Sequence, residues 1–222
     1  MSKADAILWD AGGVIYTLDQ SITDRKLAAH CGKSPELVSA TIFGGSASGK
    51  EYNKGLVEPY NLGHVDSRTF YENVKSELGL DMSFDEFAEA WSDIFTLNED
   101  ILHYIRAARE EGVRQGVLSS TNPLHWEGMK RLYNLEEALG KEVVVCTFHT
   151  DAGEKKPHPK LFEVSLRKLG SKKEETVYVD NVKKYIDAAV AYGLLGVHCD
   201  NSRPDFQERC IEDLARLFHS DA

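Results

Sequence analysis

Ala6-Ile7-Leu8-Trp9-Asp10-Ala11-Gly12-Gly13 is the stretch on which the reading of this chain turns. Four apolar residues in succession, with no polar alternation, describe a strand buried on both faces. The run ends in a carboxylate and two glycines follow. A strand end holds Asp10 rigidly, and the glycines let main-chain N–H groups come close to whatever the carboxylate meets.

Working outward, similar short apolar runs recur at 116–119, 143–148, 176–180 and 195–199. Amphipathic helical patterns separate them, near 99–112, 123–136, 158–169, 182–192 and 204–219. Gly112, Gly170 and Gly193 stand where three of these helices should close with a left-handed residue. Strand–helix alternation of this kind predicts an α/β fold with a doubly wound, Rossmann-like parallel sheet. Residues 17–97 break the rhythm. They carry no convincing strand, and helical patterns lie near 19–31, 35–43, 67–79 and 84–95. Ser83 and Glu86 form a capping-box pair, and Pro35 follows Ser34 as a first-turn proline. The expected organisation is a core domain of 1–16 and 98–222 with an inserted all-helical cap domain at 17–97. Within the insert, 44–59 is rich in Gly, Ser and Lys and reads as a cap loop that gates the site. Its Gly44-Gly45-Ser46-Ala47-Ser48-Gly49-Lys50 has the start of a phosphate-loop pattern. Glu51 replaces the required hydroxyl residue and no strand precedes it, so that reading fails.

The chain has 222 residues, of which 42% are hydrophobic and 28% charged, enough for one substantial domain with a smaller insert. A formal net charge of −10 argues against nucleic acid and against an anionic membrane surface as partners. No apolar run approaches a membrane span. Cys31, Cys146, Cys199 and Cys210 show no metal-binding spacing and read as reduced thiols of a cytoplasmic protein. A homodimer is left open.

In a doubly wound sheet, reactive groups collect at the C-terminal strand ends. The candidates are Asp10, then Ser119, Ser120 and Thr121, then Asp180 with Asn181. Lys156 joins them from the turn Gly153-Glu154-Lys155-Lys156-Pro157. Carboxylates, hydroxyls and a lysine on one rim suit Mg²⁺ together with a phosphoryl group, and a carboxylate can itself be the nucleophile. Blander readings stand beside these. The hydroxyls at 119–121 could cap the helix at Pro123, Lys155-Lys156 could be a solvated pair, and His125 could be exposed beside a packed Trp126. Tyr16, Glu51, Tyr52 and Asn53 are candidates to reach substrate from the cap side.

These residues resemble the haloacid dehalogenase (HAD) superfamily, and within it phosphatases with a helical cap. Ile7-Leu8-Trp9-Asp10-Ala11-Gly12-Gly13-Val14-Ile15 looks like its first motif and Val117-Leu118-Ser119 its second. Gly153-Glu154-Lys155-Lys156-Pro157-His158-Pro159-Lys160-Leu161-Phe162 is similar to the third. Val177-Tyr178-Val179-Asp180-Asn181, followed by Ile186-Asp187-Ala188-Ala189, resembles the fourth. Tyr60-Asn61-Leu62-Gly63-His64-Val65-Asp66 is similar to a cap segment of sugar-1-phosphate phosphatases and of the N-terminal phosphatase domain of soluble epoxide hydrolases.

The resemblance implies a Mg²⁺-dependent phosphatase for a small-molecule phosphate ester. Asp10 is then the nucleophile, with Ser119 and Lys156 on the phosphoryl oxygens. Gly12, Gly13, Ser120 and Tyr16 are expected at the substrate, and Asp10, the Gly12 carbonyl, Asp180 and Asn181 at the metal. Two departures from the pattern matter. Gly12 replaces the usual acid/base Asp, a contribution typically worth ~10²–10⁴-fold in rate. Asn181 stands where a second acid is common. Two alternatives follow from them: a catalytically weak ligand-binding member, or a metal-independent 2-haloacid dehalogenase.

Overall fold

A computed structural model describes residues 4–44, 55–149 and 154–218. The central part of the expected cap loop, with Glu51, Tyr52 and Asn53, lies outside the described residues.

The elements in chain order are β1 (Ala6–Trp9), β2 (Tyr16–Leu18), α1 (Gln20–Ala29), α2 (Pro35–Phe43), α3 (Val57–Asn61), α4 (Ser67–Leu78) and α5 (Phe84–Ser92). There follow β3 (Phe95–Leu97), α6 (Glu99–Glu110), β4 (Arg114–Ser119), α7 (Pro123–Leu132), α8 (Leu135–Leu139) and β5 (Val144–Cys146). The chain closes with α9 (Pro159–Leu169), β6 (Thr176–Asp180), α10 (Lys183–Tyr192), β7 (Leu195–His198) and α11 (Phe206–Phe218).

The main sheet has the order β5-β4-β1-β6-β7, with every pairing parallel. All four residues of β1 are buried, as an apolar run between two neighbours requires. Alternate residues then serve opposite faces. Ile7 and Trp9 pack with Ile101 and Ile105 of α6 and Leu214 and Phe218 of α11. Leu8 packs with Leu161 and Phe162 of α9 and Ile186 and Ala189 of α10. The result is the expected doubly wound α/β sandwich. Strand order departs in both directions from β1, so its C-terminal end opens onto the crevice where such sheets hold their ligands.

Helices α1 to α5 build a separate core of Leu27, Val38, Ile42, Tyr60, Phe70, Val74, Phe87 and Trp91. The capping box of Ser83 and Glu86 is present, and Ser34 caps α2 ahead of Pro35. One expectation is corrected. The segment 17–97 is not free of strands: β2 and β3 pair antiparallel as a two-stranded ribbon at the stem of the helical insert. Three-residue strands that meet across almost the whole insert are too short for alternation to register in the sequence. The apolar run at 143–148 also shortens to β5, flanked by single 3₁₀ turns.

Candidate active site

The parallel register delivers the site. Trp9 is level with Val117 of β4 and Val179 of β6, so the next residue, Asp10, emerges between the ends of those strands. Its own N–H donates to the Val179 carbonyl at 2.8 Å, prolonging the ladder by one bond. Ser119 and Asp180 end the flanking strands and are both buried.

Lys156 enters from the turn before α9 and is 4% exposed. Its Nζ lies 2.8 Å from Asp10 Oδ1 and 2.8 Å from Asp180 Oδ2. A lone buried ammonium would be costly, but two carboxylates compensate this one. Burial alone would depress the Lys156 pKa, yet Asp10 and Asp180 hold it above the ordinary lysine value. The balance for Asp10 goes the other way. Burial, opposed by Lys156 and reinforced by Asp180, pushes it up to about 7. Asp10 Oδ1 also accepts the Ala11 N–H at 2.7 Å. Asp180 is fully engaged: Oδ1 accepts the Val182 N–H at 2.8 Å, and Oδ2 accepts both Lys156 and the phenol of Tyr178.

Over this rim lies a cavity of about 230 Å³ whose lining includes Asp10, Gly12, Ser119, Ser120, Thr121, Lys156 and Asn181. Leu18, Phe95, His125, Met129, Val182 and Tyr185 form the rest of the wall. The two glycines play different parts. Gly12 lines the cavity, and a Cβ there would meet only Leu18 and Met129, at 3.6 and 3.7 Å. Gly13 has φ +93°, and a Cβ would strike the Asn181 amide at 2.6 Å. Its N–H is spent on the Tyr16 carbonyl at 2.5 Å, so it is not free for a ligand.

Tyr16, expected at the substrate, is in the core instead: it is completely buried and its hydroxyl donates to the Tyr133 carbonyl. Its position three residues beyond Gly13 gives no hint that the turn folds back and points the ring inward. The capping role considered for 119–121 belongs to Asn122, whose Oδ1 accepts the His125 N–H at 3.0 Å. That leaves the hydroxyls to the cavity, and Thr121 Oγ1 is buried with no hydrogen-bond partner among the described residues. Lys156 is not a solvated lysine.

His125, read as an exposed side chain, lies in the wall. Its ring stacks on Trp91 at 4.9 Å and 13° and meets the edge of Phe95. Burial drives its pKa down to about 3, so the imidazole is neutral. Asn122 Oδ1 also accepts from Trp91 Nε1, which leaves its Nδ2 to donate to His125 Nδ1 at 3.2 Å and to Asn61 Oδ1 at 3.0 Å. Thr147 Oγ1 donates to the Asn61 carbonyl, and Lys155 pairs with Glu58 at 2.6 Å. The similar cap segment that begins at Tyr60 is thus bonded to the loops of the rim through Asn61, alongside Glu58 and Trp91 from elsewhere in the insert. Sequence pattern marked the segment, and only the fold shows its partners.

A buried lysine clamped by two strand-end carboxylates lies at the mouth of a doubly wound sheet that carries a helical insert, which is the architecture of a hydrolase family. The chain belongs to the haloacid dehalogenase-like hydrolases, a family it matches over residues 4–193. Solved structures share the fold. A predicted HAD-like family hydrolase from Porphyromonas gingivalis superposes with TM-score 0.76 at 20% identity, covering 98% of this chain and 99% of that one. The HAD family enzyme BT-2542 from Bacteroides thetaiotaomicron, in complex with magnesium and inorganic phosphate, gives TM-score 0.73 at 17% identity over 90% and 96% of the two chains. The HAD phosphatase from Thermococcus onnurineus gives 0.60 at 20% identity over 88% and 86%. Among the described residues no helix is long and apolar enough to cross a membrane, and all four cysteines are free thiols.

Proposed function

We propose that this chain is a Mg²⁺-dependent phosphatase acting on a small phosphate monoester through an aspartyl-phosphate on Asp10. The observation that carries the reading is the Lys156 ammonium held between Asp10 and Asp180 in the cavity lining. With Oδ1 committed to Lys156 and Ala11, Oδ2 of Asp10 is the oxygen assigned to attack phosphorus. The P–O bond to the leaving group breaks with its electron pair. Water then attacks the same phosphorus, releasing phosphate and restoring the carboxylate. Ser119, the unpartnered Thr121 hydroxyl and Lys156 supply donors and charge for the transferring oxygens.

Asp10, Gly12 and Asn181 line the cavity and their oxygens would suit Mg²⁺, which commonly takes one or two carboxylates and completes its shell with water and phosphate. Asp180, also expected at the metal, is instead buried with both oxygens accepting protein donors. When bound, the ion would neutralise charge on the phosphoryl group. BT-2542 in its magnesium and phosphate complex supports this by likeness of fold. The insert's own buried cluster, separate from the two that flank the sheet, supports dividing the chain into a core of 1–16 and 98–222 and a cap of 17–97. Asp10→Asn is expected to abolish hydrolysis of an aryl phosphate assayed with Mg²⁺, as is EDTA; turnover surviving either change would sink the scheme.

One observation favours a second reading. Position 12 has no acid, and its neighbours Leu18 and Met129 are apolar, which suits a leaving group that departs without a proton. Release of halide from a 2-haloacid without Mg²⁺ would identify a dehalogenase. Phosphate binding with no turnover on either substrate class would identify a ligand-binding member.

A further inference from the structure

Asp180 and Asn181 are consecutive, yet they face different chemistry. Asp180 is fully buried, and its two oxygens accept three protein donors: the Val182 N–H, the Lys156 ammonium and the Tyr178 phenol. Tyr178 reaches it from inside the sheet, two residues back along the same face of β6. Asn181 instead borders the cavity beside Asp10 and Gly12, with its amide pressed against Gly13. That close approach depends on Gly13, because a Cβ at position 13 would strike the amide at 2.6 Å. Among the described residues, no cluster of three or more His, Cys, Asp or Glu side chains could hold a metal ion.

We infer that Asp180 is a positioning residue that anchors Lys156, and that divalent-cation binding is linked to phosphate because Asn181 leaves Asp10 as the one carboxylate facing the ion. The inference rests on the phosphatase reading and deepens it. The charges close the argument. Asp10, Asp180 and Lys156 together carry −1 when both carboxylates are ionised, and a divalent cation turns this into +1 before substrate arrives. A phosphate dianion returns the total to −1 and supplies the anionic oxygens that the protein withholds. Each ligand therefore strengthens the other, by one and the same factor. A carboxylate at position 181 would supply the missing charge from the protein and uncouple the two.

Calorimetric titration of the metal-free protein with MgCl₂, with and without saturating inorganic phosphate, tests this directly. The wild type is expected to bind Mg²⁺ at least tenfold more tightly with phosphate present. Phosphate should gain the same factor from Mg²⁺. Asn181→Asp, checked for an unchanged near-UV spectrum, should bind Mg²⁺ alone about tenfold more tightly than wild type and show a smaller phosphate effect. A second readout needs no variant: with wild type alone, the Mn²⁺ electron paramagnetic resonance signal should stay that of the free ion and collapse when phosphate is added. A wild-type Mg²⁺ affinity indifferent to phosphate, or an Asn181→Asp protein no tighter than wild type, overturns the inference and leaves the phosphatase reading standing. Failure of the wild type to bind either Mg²⁺ or phosphate at millimolar concentration sinks both.

Discussion

The rim of the sheet and the helical insert are built on opposite principles. At the rim, buried polar groups are held by many short directed contacts: Asp10, Lys156, Asp180, Tyr178 and the Val182 N–H form one connected set. In the insert, an aromatic core of Tyr60, Phe70, Phe87 and Trp91 is held by shape, with stacked and edge contacts between 4.4 and 5.8 Å. A charged set fails abruptly when one member is lost, because the partners remain buried and unpaired. An aromatic core loses packing in proportion to what is removed. The rim should therefore be intolerant and strongly pH-dependent, and the insert graded and insensitive to pH.

The sharpest way to break that contrast is Lys156→Met. It leaves Asp10 and Asp180 buried without their cation, and losing one partner of a buried pair typically costs ~3–5 kcal/mol. Activity on an aryl phosphate should fall below detection. Asp10, already pushed up by burial, would then favour its protonated form more strongly, so the variant should lose stability as pH rises and recover it on acidification. Denaturant titrations at pH 5 and 8 would show this, and equal losses at both values would mean the rim is not governed by charge.

Gly12→Asp tests the rim in the constructive direction. The backbone at 12 is ordinary and a Cβ meets only van der Waals contacts, so the side chain has room in the cavity wall. General acid catalysis is worth ~10²–10⁴-fold at most sites, and a newly placed group should recover part of it, about 10-fold or more. The gain should appear on an alkyl phosphate, whose leaving group needs a proton, and fade on 4-nitrophenyl phosphate. An equal gain on both would assign position 12 to binding instead.

Between the two regions stands Asn122, and its loss should be intermediate. It caps α7, receives Trp91 Nε1, and donates to Asn61 and His125. Losing a cap costs ~1 kcal/mol, and stranding buried donors adds ~1–3 kcal/mol. Asn122→Ala should therefore lower stability by about 2–3 kcal/mol at every pH from 5 to 8 while the Asp10 titration stays in place. A pH-dependent loss would place Asn122 electrically within the rim.

The same contrast explains what was legible in sequence. Asp10 and Asp180 could be read as candidates because a strand end places one residue at a time, whereas the choice of Ser119 and of Lys156, which enters from a turn, rested on resemblance to family motifs. The parallel sheet could be read from runs buried on both faces. The ribbon of β2 and β3 could not, since three-residue strands leave no periodicity. Nor could the inward turn of Tyr16, the burial of His125 or the unpartnered Thr121, which depend on packing between segments far apart in the chain. Asn181 was visible as a departure from pattern, but that its surroundings differ from those of Asp180 required the hydrogen bonds of Tyr178 and Val182.

The smallest expected effect concerns the intact rim without metal. Folded Asp10 keeps its proton up to about pH 7, whereas its ordinary value is 3.8. Between those limits the folded chain binds more protons than the unfolded one, so stability falls as pH rises through the window and levels off above it. In EDTA, wild-type Tm should drop by a few degrees between pH 5 and 8, since ~1 kcal/mol corresponds to ~2–4 °C in a chain of this size. Asp10→Asn removes the titrating group and should flatten that slope, leaving the inactive variant the more stable protein at pH 8. The aromatic core of the insert has no part in this linkage, so Phe87→Leu should lower Tm without changing the slope. If Asp10→Asn kept the wild-type slope, the pH dependence would arise elsewhere, and the strained charge balance attributed to the rim would be wrong.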